Sequence, residues 1–397
     1  MTLADLPAIL ILGGLVAYVV LGGADFGAGF WQLSGRNGDR SGAIRDHAYH
    51  AMGPVWEANH VWLIFVLVVC WTGYPTAFAS IASTLTIPLF IAAIGIILRG
   101  TAYALRSATD TLRGRRRVEL LFAFSSILTP FALGAAVGSI ASGRVPVGNA
   151  RGDLVTSWLN PTSVAVGVLA VATGAYLAAV YLSADAERIR APQLVREFRL
   201  RALAIGLVAG AVAFGALAAV RFDARPIWDG LTEWPGILAV VVSAAAGIAT
   251  LALVWARSFG PARLCAGLAV AAIVAGWALA QRPRLLPGLT IDQAAAPRAT
   301  LDAIAIASGI GAVVLIPSLA LLFGLFLGGR FDVRPARVSE PTGAPGPPPM
   351  VARRLVALVA VASGVAGFGL TTFTDGGWPL GVGVCSLFAF VGSAFYL

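Results

Sequence analysis

Apolar runs long enough to cross a bilayer recur along the whole sequence. A spanning helix needs roughly 20 mostly apolar residues, because the hydrocarbon core is about 30 Å thick and a helix rises about 1.5 Å per residue. Such runs predict helices at 7–33, 52–73, 78–105, 119–142, 161–183, 202–220, 237–256, 264–280, 301–328, 355–373 and 378–396. Backbone polar groups in lipid must be satisfied within their own segment. The expectation is therefore an all-α integral membrane protein, a polytopic bundle of eleven transmembrane helices. Composition agrees, with 58% hydrophobic and only 12% charged residues, against roughly 25% charged in soluble domains. The first run, from Pro7, lacks a basic leader and holds an acidic residue, so it reads as a mature helix rather than a signal peptide.

The net charge of +9 is carried by Arg alone, since the chain has no Lys. A basic balance in a membrane protein reports orientation rather than nucleic-acid binding, and no nucleic-acid partner is expected. Of the 28 Arg, 20 fall in the odd-numbered loops between the predicted helices and 7 in the even-numbered ones. That bias predicts odd loops in the cytoplasm and the N-terminus outside.

Pro335–Met350 is rich in Pro and Gly and poor in apolar residues. Such a stretch reads as an extended or disordered linker. The expected organisation is a nine-helix domain over 1–330, a cytoplasmic linker over 331–354 and a helical hairpin over 355–397. Cys70, Cys265 and Cys385 form no C-x-x-C pair and read as small buried hydrophobes.

Charges inside membrane helices cost about 2.5–3.5 kcal/mol each on insertion scales, so each one needs a reason. Asp25 stands in GGADFGAG at 22–29, Glu57 in PVWEANHVW at 54–62, and Arg99 near the end of the third predicted helix. From the helix rise, Asp25 lies about 12 Å from the cytoplasmic end of its helix, and Glu57 and Arg99 each about 9 Å. Two carboxylates and a guanidinium thus come to similar depth, with Asn59 and His60 completing a polar cluster. Gly23 and Gly27 form a G-x-x-x-G pair that lets backbones approach closely. Gly29 lies one turn beyond Asp25 on its face. That thinned face admits a neighbouring helix or a file of water to the carboxylate. Asp25 and Arg99 read as a neutralising pair that fixes packing, against which stands a proton-conducting or proton-buffering role for Asp25 or Glu57.

Three histidines, His47, His50 and His60, are too few for a di-haem cytochrome b, which needs paired axial ligands on facing helices. His47 and His50 read as solvated groups at the cytoplasmic edge, and His60 as a hydrogen-bonding member of the polar cluster. No metal site is expected in this chain. The sequence lacks a P-loop, H-E-x-x-H, G-x-S-x-G and a dinucleotide-binding glycine fingerprint.

The motifs GGADFGAG at 22–29 and PVWEANHVWLI at 54–64, about 30 residues apart on consecutive antiparallel helices, resemble subunit II of cytochrome bd-type quinol oxidases, the cyanide-insensitive group included. The run Ile316-Pro317-Ser318-Leu319 fits the same family. The resemblance implies a subunit without haem, paired with a larger subunit I that carries two b-type haems and a haem d (or a third b-type haem). Quinol and oxygen are then the substrates of the complex, oxygen is reduced to water, and the location is the bacterial cytoplasmic membrane. It also implies that Asp25 and Glu57 serve a cytoplasmic proton path and that Trp62 borders oxygen access. Membrane lipids, a structural quinone and small single-helix accessory subunits complete the implied partners.

Two features depart from the family pattern. Glu57 stands where some members have Asp, and His60 where some have Gln, which changes side-chain reach. The last two predicted helices exceed the usual nine. A competing class is a proton-coupled secondary transporter, since buried acids and glycine-interrupted helices suit both.

Overall fold

A computed structural model describes residues 2–33, 39–52, 56–106 and 112–327, with single positions beyond. The chain divides into two compact units, Met1–Pro317 and Ser318–Leu397. In the second, the described residues are the end of one long helix and positions 358–359, 362–363, 366, 382 and 386. The predicted linker and C-terminal hairpin lie almost wholly outside the described residues.

The first span runs from Leu3 to Leu33. It consists of a 3-10 turn (Leu3–Asp5), α1 (Leu6–Ala17), a π-helical turn (Tyr18–Gly22) and α2 (Gly23–Leu33). An amphipathic α3 (Asp39–Met52) follows, then α4 (Trp56–Gly73), α5 (Pro75–Thr84) and α6 (Thr86–Arg106). Next come α7 (Leu112–Ala141), α8 (Pro161–Arg188), α9 (Pro192–Asp223) and a short α10 (Arg225–Thr232). The described part ends with α11 (Trp234–Trp255), α12 (Phe259–Gln281), a hairpin of β1 (Arg284–Leu286) and β2 (Leu289–Thr290), α13 (Ile291–Ala294) and α14 (Arg298–Leu327). Among the described residues, eight helical stretches are long and apolar enough to span a bilayer, and Asn59–Gly73 is a shorter apolar one.

Several boundaries differ from the sequence reading. The helix expected over 78–105 is two helices, because Pro88 has no N–H to continue the ladder and the chain breaks at Leu85. The loop expected over 34–51 contains α3, whose Ile44, His47 and Ala48 turn inward at i, i+3, i+4 spacing. Between α8 and α9 only residues 189–191 are non-helical, since Pro192 opens the next helix at its first position. The two-stranded hairpin is a small departure from an all-α chain.

The packing centre is α8, which contacts α2, α7, α9 and α12. Ala175, Leu177, Ala178, Ala179, Val180 and Leu182 on it are fully buried. Lipid tails are as apolar as Leu, so helices in a membrane associate through close contact between small residues. Accordingly, Gly134 and Gly138 of α7 face the backbone of α8 at Val166, Gly167 and Ser163. At its N-terminus, α8 is capped by Asn160, whose Oδ1 accepts from the Ser163 N–H at 2.9 Å.

A separate apolar cluster gathers Tyr74, Leu85, Val145, Leu286 and Ile291 from five segments. Tyr74 is fully buried there, donating its hydroxyl to the Ala4 carbonyl (2.6 Å) and accepting from the Ala8 N–H (3.1 Å).

Candidate intramembrane acid–guanidinium site

The site lies where α2, α6 and α7 meet. Asp25 and Arg99 are each only 1% exposed. Arg99 Nη2 donates to Asp25 Oδ1 at 2.6 Å and to the Asp25 main-chain carbonyl at 2.9 Å. Arg99 Nη1 donates to Ser126 Oγ of α7, and that hydroxyl donates to the Phe122 carbonyl at 2.6 Å. The guanidinium carbon stands 4.9 Å from the Phe26 ring centroid and 4.1 Å from that of Phe122. Aromatic faces carry negative charge density and attract a cation, the more so when it is desolvated. Arg99 is thus held by a carboxylate, a carbonyl, a hydroxyl and two rings, and the pair brings no net charge into the apolar interior.

Three buried polar atoms around this pair have no protein partner among the described residues: Asp25 Oδ2, Arg99 Nε and the Tyr18 hydroxyl. Tyr18 lies within electrostatic reach of both Asp25 and Arg99. It opens the π-helical turn, a distortion that often marks functional positions. Asn59 Nδ2 donates to the Leu21 carbonyl of that turn at 3.4 Å. His60 completes an aromatic corner, its ring 6.2 Å from Tyr18 and 6.0 Å from Phe26, both edge to face.

The glycines around Asp25 hold two different neighbours close. Gly23 and Gly27 face Gly174, Leu177 and Ala178 of α8, so a helix backbone occupies that thinned face. Gly29 faces the Ser126 side chain and Arg99 Nη1, leaving room for the guanidinium–hydroxyl contact. Beyond it, Trp31 is anchored by a 2.8 Å bond from its Nε1 to the Ala175 carbonyl.

Of the residues singled out from the sequence, Asp25, Arg99 and Gly29 come together directly. Asn59 and His60 join through the π turn and Phe26. Glu57 stands in the first turn of α4, and its side chain lies outside the described residues. Trp62 is half-buried on the same helix. His47 corrects the sequence reading: it is buried, with Nε2 at 3.2 Å from the Leu182 carbonyl and 3.7 Å from Asp185, and its ring packs on Phe198. The side chain of His50 lies outside the described residues. Phe122, Ser126 and Tyr18 were not foreseen. Their one sequence signal is the polar run Ser125, Ser126 and Thr129 within an apolar helix.

Among the described residues, no cluster of three His, Cys, Asp or Glu could hold a metal ion. His47 already engages Leu182 through Nε2, and the His60 ring packs among aromatic neighbours.

These features define a multi-pass helical membrane protein in which α2, α6 and α7 close around a buried acid–guanidinium pair. Residues 3–326 match the family described as cytochrome bd terminal oxidase subunit II, and the chain belongs to that family. It is similar to cytochrome bd ubiquinol oxidase subunit 2 of Bacillus subtilis (strain 168), with 30% identity over 133 residues, 34% of this chain and 38% of the relative. A second relative, cytochrome bd-I ubiquinol oxidase subunit 2 of Escherichia coli (strain K12), is 24% identical over 130 residues, 32% of this chain and 33% of the relative. The aligned part is thus a little over a third of the first relative and a third of the second. A chain in the structure of bd oxidase from Geobacillus thermodenitrificans superposes with a TM-score of 0.64 at 26% identity, covering 82% of this chain and 99% of that one.

Proposed function

We propose that this chain is the second, non-haem subunit of a quinol-oxidising terminal oxidase in a bacterial cytoplasmic membrane. Its partner is a larger subunit I that holds the two b-type haems and a haem d or third b-type haem. The complex passes electrons from quinol to oxygen, giving water. The observation that carries this reading is the family match over residues 3–326 together with the structural likeness to a bd oxidase. The N-terminus is outside, as the Arg distribution argues.

Within that complex, Asp25 and Glu57 belong to a cytoplasmic proton route, and Trp62 lies beside oxygen access. The chemistry of the pair supports the first part. Asp25 Oδ1 is committed to Arg99, while Oδ2 has no partner among the described residues and is the atom free to take a proton. A proton arriving there leaves Arg99 without its counter-charge. The Asp25 carbonyl, Ser126 and the faces of Phe26 and Phe122 are the groups that then hold the cation. The protonated state of such a site is a transient and costly one, in which these neutral groups still hold Arg99.

Purification of the full chain from its native membrane tests the assignment. A larger haem-bearing polypeptide should accompany it, with quinol-driven oxygen consumption. A colourless chain that purifies alone and moves a solute with protons would overturn it in favour of a transporter.

A further inference from the structure

A cleft of about 410 Å³ opens where three spans leave the membrane: α9 ends at Asp223, α11 begins at Trp234 and α12 ends at Gln281. The short helix α10 lies across these ends. Its Ile227, Trp228 and Leu231 pack on Ala280 and Trp277, while Arg225 and Asp229 line the cleft. Gly230 fixes the floor, because a Cβ there would stand 2.6 Å from the Ala280 carbonyl oxygen. Glu233, Arg282 and Arg284 complete the charged lining.

Most of these charges are spoken for. Arg225 Nε meets Asp229 Oδ1 at 3.1 Å, and Arg282 Nη2 meets Asp5 Oδ1 at 3.0 Å. The side chains of Arg284 and Glu233 have no hydrogen bond or ion pair among the described residues. The cleft therefore offers one uncommitted cation and one uncommitted anion. Beside it stand exposed rings of the kind found at membrane boundaries, Trp234 (75% exposed) and Phe222 (86%). Arg221 lies over Phe222 and Trp228, 5.8 and 5.4 Å from their centroids.

We propose that this cleft binds the head group of a zwitterionic phospholipid carrying a primary ammonium, a phosphoethanolamine. A phosphate complements Arg284, with Arg282 two residues away, through charge-assisted hydrogen bonds. The ammonium complements Glu233, with Asp229 one helical turn before it. A purely anionic head group satisfies Arg284 and meets repulsion from Glu233. A choline brings the charge but no N–H to give Glu233. Acyl chains then run along the apolar flanks of the spans that end here.

The test is native mass spectrometry of the full chain, with the subunits that accompany it, after delipidation in detergent. Phosphatidylethanolamine, phosphatidylcholine, phosphatidylglycerol and inorganic phosphate are titrated separately. The wild type should retain phosphatidylethanolamine several-fold better than the other two lipids. Glu233→Gln should erase that preference over phosphatidylglycerol, and Arg284→Gln should lower retention of both several-fold. Both side chains are exposed, and an unchanged melting temperature establishes that each variant is folded. Equal retention of all three lipids, or a preference that both variants leave intact, would overturn the proposal. So would saturation by inorganic phosphate at the concentrations where the lipid binds, which would mark a site for free phosphate.

Discussion

Arg99 grips Asp25 twice with one nitrogen, taking the carboxylate at 2.6 Å and the main-chain carbonyl of the same residue at 2.9 Å. The second contact ties the guanidinium to the α2 backbone, a hold that does not depend on the charge of the carboxylate. That relationship separates a packing role from a proton role.

The first prediction follows from charge balance. Asp25→Asn strands a buried guanidinium and Arg99→Gln strands a buried carboxylate. Breaking a buried pair from one side costs about 3–5 kcal/mol, whereas replacing both partners by neutral groups is far milder. Each single variant should accumulate poorly, and the double variant Asp25→Asn/Arg99→Gln should recover assembly. If Asp25 also handles protons, the recovered complex should show its normal haem spectrum and several-fold slower quinol-driven oxygen consumption. Full turnover in the double variant would leave the pair with packing alone.

Space beside the guanidinium gives the second. A Cβ on Gly29 would stand 2.6 Å from Ser126 Cβ and 3.0 Å from Arg99 Nη1. Gly29→Ala should therefore push Ser126 and Arg99 aside and lower stability by about 1–3 kcal/mol, the usual range for overpacking. Ser126→Gly in the same chain should return part of the loss. Thermal melting of the two variants in detergent measures both effects, and an additive pair of losses would contradict the steric account.

Much of this arrangement is legible in the sequence. Apolar run length located the eight spans found among the described residues, because lipid thickness dictates it. The cost of intramembrane charge pointed to Asp25 and Arg99, and the helix rise put them at one depth. What the sequence could not convey was the partner surfaces. The G-x-x-x-G spacing at Gly23 and Gly27 announces close approach, but not that Gly174 of α8 is what approaches. Phe26 and Phe122 look like any other apolar residues until the guanidinium lies over them. His47 misled because α3 is polar enough to read as a loop. Its three inward positions bury an imidazole that composition alone assigns to water.

Acid should loosen the loop between α7 and α8 through Asp153. Its carboxylate accepts from the Thr156 N–H (2.6 Å), the Val155 N–H (2.9 Å) and the Thr156 hydroxyl (2.9 Å). These bonds, the backbone ones foremost, hold its pKa below the usual carboxylate value. A depressed pKa contributes stability that is present above the unfolded value, about 3.9, and is lost as pH falls through the lower folded one. Protection of the Val155 and Thr156 amides from hydrogen exchange, corrected for intrinsic rates, should therefore fall as pH drops from about 6 to about 3. In Asp153→Asn the protection should be lower at the start and nearly flat with pH. A wild-type profile just as flat would show that the turn holds without the charge.

The last prediction contrasts two glycines of one motif. Gly23 and Gly27 both face α8, yet their clearances differ. The nearest atom to a Cβ on Gly23 is Leu177 Cδ1 at 3.6 Å, an ordinary van der Waals contact with a side chain that can rotate. On Gly27 the added carbon would run into the Gly174 carbonyl, with Ala178 Cβ at 2.8 Å behind it. Backbone cannot rotate away, so the helices must separate, and α2 carries Asp25 with it. Gly27→Ala should sharply reduce accumulation of the chain and weaken the Asp25–Arg99 contact in whatever fraction folds. Gly23→Ala should accumulate almost normally, within about 0.5 kcal/mol of wild type, as for substitutions that meet no strain. Fluorescence-detected size exclusion and thermal melting on both variants decide this. Equal tolerance at the two positions would mean that the α2–α8 approach is looser than the carbonyl contact requires.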